Sequence, residues 1–322
     1  MNNVLLQKVE GNKIHNRKVA SETLLELAKK DRDILVLTSD SRGSASLVPF
    51  ADALPEQLVE VGIAEQNIVG IAAGLASAGK KPFVASPACF LSMRSIEQIK
   101  VDVAYSQMNV KLIGISGGVS YGALGMTHHS LQDLAVTRAI PGLHVMMPAD
   151  RHETKKMFQA LVNYETPVYV RIGRNPVNDC YQSDEYEFEI GKAVTMNEGN
   201  DITFIAIGET VRIALDSAEK LAQVGIHCRV INMHTIKPLD EEVIIKAAKE
   251  TGNIITLEEH SVYGGLGSAV TEVVSQNYPV PVRILGIHDE PAVTGKTPEV
   301  FNHYGLSVES VSKVTKEMIN YG

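Results

Sequence analysis

The 322-residue chain carries a formal net charge of −8, with 44% hydrophobic and 21% charged residues. That size suits about two domains with cores of their own, and that balance suits a folded α/β protein rather than a disordered or fibrous one. Lys and Arg are scattered along an acidic chain, which speaks against binding to nucleic acid or to an anionic membrane. Cys89, Cys180 and Cys228 form no Cys-x-x-Cys, the first residues do not read as a secretory signal, and the longest nearly uncharged small-residue run, Ile68 to Gly79, is too short to span a bilayer. A reducing cytoplasm is the expected setting, with neither a zinc site nor a disulfide framework.

Residues 1–16 read as a polar, irregular extension. Arg17 to Lys30 then places Val19, Leu24, Leu27 and Ala28 at helical spacing. Ile34 to Thr38 is an unbroken apolar run of the kind buried on both faces of a parallel sheet, and it ends in the polar loop Ser39-Asp40-Ser41-Arg42-Gly43-Ser44. Loops at strand carboxyl ends are where open α/β sheets take ligands. Leu58-Val59 leads to Gly62-Ile63-Ala64-Glu65, and a Gly- and Ala-rich helix follows that has the look of a wholly buried one. Glu65 stands at its first turn, either as an acid favoured by the helix dipole or as a functional carboxyl. Further strands are expected at Pro82 to Ala85 and Val110 to Ile115, with a helix from Ser92 to Ser106 between them. The long Gly-rich loop Ser116 to Ser130 ends in His128 and His129, and long loops inside compact domains tend to be functional.

Beyond the loop, a short helix is expected over Leu131 to Ile140, a strand over Leu143 to Met147, a helix capped by Asp150, and a strand over Val168 to Ile172. The acidic, aperiodic stretch 181–189 reads as a linker. The second domain repeats the theme, with strands at Ile202 to Ile207, His227 to Asn232, Asn253 to Leu257 and Val282 to Leu285. Helices are expected at Val211 to Val224, Glu241 to Thr251, up to Ser275 and after Ser307.

Several spaced motifs now agree: Val61-Gly62-Ile63-Ala64-Glu65-Gln66-Asn67, Thr127-His128-His129, Val170-Arg171-Ile172-Gly173-Arg174, and Glu259-His260-Ser261 with Gly264-Gly265-Leu266-Gly267. Together they resemble the carboxy-terminal half of transketolase, from about Val19 to the end; deoxyxylulose-phosphate synthase looks similar too. The resemblance implies an α/β chain of two domains, each with a mainly parallel sheet flanked by helices: a thiamine-diphosphate pyrimidine-binding domain over 17–180 and a transketolase carboxy-terminal-like domain over 190–322. It implies thiamine diphosphate and Mg2+ as cofactors. The sequence holds no Gly-Asp-Gly, the family's diphosphate motif, so the resemblance points to the beta-type subunit of a split transketolase. Its implied partner is an alpha-type subunit that supplies the diphosphate and metal site, in an α2β2 assembly, with no metal ligand from this chain.

The expected activity is transfer of a two-carbon ketol unit between sugar phosphates. Alternatives are a deoxyxylulose-phosphate-synthase-like or 2-oxo-acid dehydrogenase beta-type subunit, or a non-catalytic paralogue. By resemblance Glu65 activates the aminopyrimidine, as a carboxyl with a raised pKa in an apolar setting, and His128 assists at the substrate. Ile63, Phe90 and Asp40 are expected at the cofactor, and Ser44, Arg174 and Arg171 at the sugar phosphate, where an Arg fork suits a phosphate. His129 is balanced between structure and function, His260 reads as structural or interfacial, and Cys89 has nothing to activate it. Pro87 and Met93 replace expected aromatics, Leu124 stands where an Asp recognises an aldose hydroxyl, and Ser116 stands where a phosphate-contacting His is common. Replacing a hydroxyl acceptor by Leu argues against standard pentose phosphates and for a branched or otherwise modified sugar phosphate.

Overall fold

A computed structural model describes residues 13–320. Its strands are β1 (Ile14–His15), β2 (Ile34–Thr38), β3 (Leu58–Glu60), β4 (Lys81–Pro87), β5 (Lys111–Ile115), β6 (His144–Met146), β7 (Val168–Ile172) and β8 (Pro176–Val177) in the first half. The second half adds β9 (Val194–Asn197), β10 (Ile202–Ala206), β11 (Cys228–Asn232), β12 (Thr235–Lys237), β13 (Ile254–Ser261) and β14 (Val282–Ile287). A seven-stranded sheet runs in the order β12-β6-β7-β5-β4-β2-β3, and a five-stranded sheet in the order β14-β13-β10-β11-β9. Both are parallel except at one edge, where β12 and β9 run antiparallel to β6 and β11. The apolar runs read as buried strands are buried on both faces, as β5, β7, β10 and β11 are throughout.

One face of the larger sheet is covered by the helices Asn16–Ala28 and Arg151–Leu161, over a core that includes Leu24, Phe50, Phe83 and Phe158. Each fully buried side chain of this size contributes about 1.5–3 kcal/mol. The core on the other face continues from Ile68, Val84 and Leu112 into Ile205, Ile231 and Leu266 of the second domain. With β12 lent by the second half to the first half's sheet, the two domains share both a sheet and a core.

Several expectations need correcting. Ile14–His15 is not irregular: it pairs antiparallel with Pro176–Val177, and a helix begins at Asn16; the rest of the expected extension, residues 1–12, lies outside the described residues. The helix Glu65–Ser77 buries one face only, through Glu65, Ile68, Val69, Ala72 and Ala73. The single helix expected over 92–106 is a helix at Ala88–Arg94, a break at Ser95, and a π-helical stretch at Ile99–Tyr105.

The stretch read as a linker begins in a firm anchorage. The Asp150 carboxylate accepts the N–H groups of Cys180 and Tyr181 at 2.6 and 2.8 Å while also capping the Arg151–Leu161 helix through Glu153 N–H. Buried Glu153 accepts from Tyr181 Oη at 2.9 Å and from Asn232 Nδ2, on β11, at 2.8 Å. Burial pushes its carboxyl up to about 7.

Candidate functional site

Strands β2, β3, β4, β5 and β7 all end at one edge of the large sheet, and the residues just beyond those ends are Ser39–Ser44, Val61–Glu65, Ala88–Arg94, Ser116–His128 and Gly173–Arg174. The parallel topology therefore brings segments 20 and more residues apart into one crevice. Gly62 (φ 71°) makes the turn that delivers Glu65 to its helix.

Across this edge a row of side chains touches one to the next. Glu65, 5% exposed, accepts a hydrogen bond from Arg94 Nη1 at 2.9 Å. The Arg94 guanidinium lies over the Phe90 ring, 4.0 Å from its centroid. Phe90 meets the His128 ring edge-on at 5.2 Å, and Tyr121 meets the same ring at 5.3 Å. The Arg174 guanidinium in turn lies 5.0 Å from the Tyr121 centroid. Glu65, Phe90, His128 and Arg174 are thus brought together, although the carboxyl is held by a cation rather than set among apolar groups alone.

The far end of the row is cationic. Arg174 Nη1 donates to Ser116 Oγ at 3.5 Å, and its backbone carbonyl is hydrogen-bonded by the His15 ring. Arg17 Nη1 donates to the Ser44 carbonyl at 2.7 Å, and its Nε is buried with no partner among the described residues. Burial, and then the nearby Arg174 charge, push the Arg17 pKa down. A guanidinium disfavoured by a neighbouring positive charge, with two serines close by, is suited to an anion.

The remaining expected residues separate. Ile63 is 74% exposed on the segment after β3, and Met93, Leu124 and Met126, on the segments after β4 and β5, are exposed as well. Asp40 sits in left-handed backbone (φ 51°) and donates its N–H to Glu60 at 2.8 Å; its exposed carboxylate makes no hydrogen bond among the described residues, so the turn owes nothing to an Asx bond. His129 is buried, its Nε2–H donates to the Gly122 carbonyl at 3.1 Å, and burial pushes its pKa down, which makes it a neutral brace for the loop. His260 is fully buried, accepts Ala135 N–H through Nε2, and is pushed down to about 4, as suits a structural residue between the domains. Burial pushes the Cys89 thiol up to about 12, far from an activated thiolate.

Arg171 is the expectation that fails. Its side chain is fully buried beside Asp133 at 3.6 Å and Glu259 at 3.9 Å, and it donates to the Glu259 carbonyl. It lies on β7, below the crevice, where a strand residue facing the second domain has no route to a sugar phosphate. Sequence reasoning in turn missed Arg94, Tyr121 and Arg17. Only Arg17 left a signal: a cation in the first turn of the Asn16–Ala28 helix opposes the helix dipole, so something else must hold it there.

A two-domain α/β protein with a charged and aromatic row at the strand ends of its larger sheet is the class that fold and site define. Residues 12–178 match the transketolase pyrimidine-binding domain and residues 191–311 the transketolase C-terminal domain; the chain belongs to the transketolase family. It is 55% identical to one of the subunits of the apulose-4-phosphate transketolase of Phocaeicola vulgatus, over 96% of this chain and 98% of that one. It is 39% identical to the 6-deoxy-6-sulfo-D-fructose transketolase subunit SqwH of a Clostridium species, over 92% of each. A split-gene transketolase solved as an inactive beta4 tetramer superposes with a TM-score of 0.88 at 36% identity, over 95% of this chain and 99% of that one.

Membership implies thiamine diphosphate, and the residues present suit its aminopyrimidine. Arg94 is planar, cationic and N–H-donating, stacked on Phe90 and bonded to Glu65; an aminopyrimidine protonated on its ring nitrogen has the same three properties.

Proposed function

We propose that this chain is the beta-type subunit of a two-chain, thiamine-diphosphate-dependent transketolase that moves a two-carbon ketol unit between sugar phosphates, at least one of them non-standard. The observation that carries the reading is the unbroken row from Glu65 to Arg174, an acid at one end and paired guanidiniums at the other. When bound, the cofactor would supply the carbanion that attacks a ketose carbonyl.

This chain's residues would do the rest. Glu65 would hold the aminopyrimidine ring nitrogen once half-exposed Arg94 moves off it, with Phe90 and Ile63 as apolar walls. His128 is oriented by Thr127, whose hydroxyl pairs with Nδ1 at 3.0 Å; with that hydroxyl turned to the Leu124 carbonyl, 3.4 Å away, Nδ1 would be the donor and Nε2 would be left to accept a hydrogen bond from a substrate hydroxyl. Arg174 and Arg17, with Ser44 and Ser116, would hold the phosphate end, and exposed Asp40 would lie on the thiazolium side. Leu124, exposed and unable to accept a hydrogen bond, favours a substrate with fewer or displaced hydroxyls; the likeness to the apulose-4-phosphate and sulfofructose enzymes supports this.

The partner in this reading is an alpha-type chain with a Gly-Asp-Gly motif that holds the diphosphate and Mg2+, in an α2β2 assembly. The exposed apolar side chains of Ile63, Met93, Leu124 and Met126 and the open Gly74 side of the Glu65–Ser77 helix are surfaces such a chain would cover. The three free, buried cysteines suit a reducing cytoplasm. The test is reconstitution with the alpha-type subunit, followed by assay with apulose 4-phosphate and with an unbranched pentulose phosphate. Faster ketol transfer on the former is expected; no transfer with either, from a pair that binds cofactor, would refute the reading.

A further inference from the structure

The second domain contributes nothing to the row between Glu65 and Arg174, yet it grips the loop that carries His128 and Leu124 at both ends. At the neck, Gly118 and Ser130 exchange backbone hydrogen bonds of 3.0 and 2.8 Å. Glu259, on β13 and fully buried, accepts Val119 N–H there at 2.9 Å. Gly118 has φ 63°, and a side chain on it would collide with the Glu259 carboxyl. Val119 and Leu131, which flank the neck, are buried in an apolar cluster whose other buried members are Ile287, Ala292, Val300, Phe301, Tyr304 and Leu306, all of the second domain.

At the tip, the strap 293–297 lies directly on the loop. A Cβ on Gly122 would stand 2.9 Å from the Gly295 carbonyl oxygen, and one on Gly125 would stand 2.8 Å from Thr294 Cγ2. Both loop glycines have positive φ, 58° and 69°, so the approach and the turn demand the same residue. Asn175 Nδ2, next to Arg174, donates to Thr297 Oγ1 at 2.7 Å and ties the strap to the first domain beside the cationic end of the row.

We propose that the second domain positions the Ser116–Ser130 loop for substrate, through Glu259 at the neck and the 293–297 strap at the tip, and so sets substrate affinity from outside the site. This rests on the transketolase reading above for its kinetic consequence but not for its structural one. Glu259, Thr294 and Thr297 are positioning residues. A loop shifted by about 1 Å can cost a factor of ~100 in turnover efficiency, and partial loosening at the tip should cost about ten.

Two variants carry the test. Thr294→Gly removes the methyl that meets Gly125, and Thr297→Val removes the hydroxyl that meets Asn175. In the reconstituted complex each should raise KM for the sugar phosphate roughly 10-fold with cofactor affinity unchanged. In the isolated chain each should speed hydrogen exchange of the 119–128 amides roughly 10-fold, with the body of the second domain unaffected. Thr294→Val keeps the methyl and Thr297→Ser keeps the hydroxyl, so both should restore wild-type values. Unchanged exchange and KM in the Thr294→Gly/Thr297→Val double variant would overturn the proposal, as would faster exchange spread evenly over the second domain. A wild-type complex without turnover would remove the transketolase reading alone, since exchange at 119–128 still decides for or against the positioning role.

Discussion

Arg171 offers the sharpest contrast between a buried strut and a substrate ligand. Its guanidinium has no exposure and lies beside two buried carboxyls, Asp133 and Glu259, with the Glu209 charge also acting on it. Arg171→Met keeps the stem and removes the charge. Breaking a buried ion pair by deleting one partner costs about 3–5 kcal/mol, because the other partner is left uncompensated in a poor solvent for charge. With a urea slope of about 3 kcal/mol per molar, the midpoint at pH 8 should fall by about 1–1.7 M. Burial already holds Glu259 at about 7 and raises Glu209, and loss of the cation raises both further. Their raised folded pKa values mean that the folded state takes up protons as pH falls, so the deficit should shrink at pH 5.5, where these carboxyls are neutral. Urea titrations of wild type and variant at the two pH values measure this directly. A loss under about 1 kcal/mol at pH 8, the size expected of an exposed ion pair, would refute the buried-strut account and return Arg171 to the substrate.

Glu65→Gln should lower kcat/KM of the reconstituted enzyme by about 10²–10⁴-fold, the range for a lost proton-transfer partner, while the melting temperature stays near wild type because half-exposed Arg94 contributes little through that pair. Arg174→Gln should raise KM for the sugar phosphate by about 10–100-fold and leave kcat largely intact, as loss of a charge-assisted bond to a non-reacting group does; an unchanged KM would displace the phosphate from that end of the crevice. Leu124→Asp should improve kcat/KM on an unbranched, fully hydroxylated sugar phosphate relative to apulose 4-phosphate, which competition between the two substrates would read out. The Glu153 carboxyl lies at about 7 in the folded chain against an ordinary 4.5, so its stabilising contribution is present below 4.5 and lost as pH rises through 7. Glu153→Gln should therefore lose about 1–3 kcal/mol less, relative to wild type, at pH 8 than at pH 5 in urea titrations.

Local pattern was enough for much of this molecule. Apolar runs such as Ile34–Thr38 and Val168–Ile172 can only be strands buried on two faces, and Asp150 followed by an amphipathic stretch marks a helix start, because burial and capping act over a few residues. The spaced motifs around Glu65, His128 and Arg174 were legible for the same reason: chemistry at strand ends leaves short, dense signals. Sequence alone thus determined the fold class, the family and the ends of the site row.

The tertiary structure decided what joins those ends. Arg94 and Tyr121 look like ordinary surface residues in the chain and become links only when β4 and β5 lie side by side. Arg171 and Arg174 are three residues apart and both candidates for the phosphate in the sequence, with Arg174 the better match. Strand β7 buries the first under the second domain, and the loop after β7 turns the second into the crevice. The grip of Glu259 and the 293–297 strap on the His128 loop spans well over a hundred residues of chain. Contacts at that separation depend on how two sheets pack, and no local spacing encodes them.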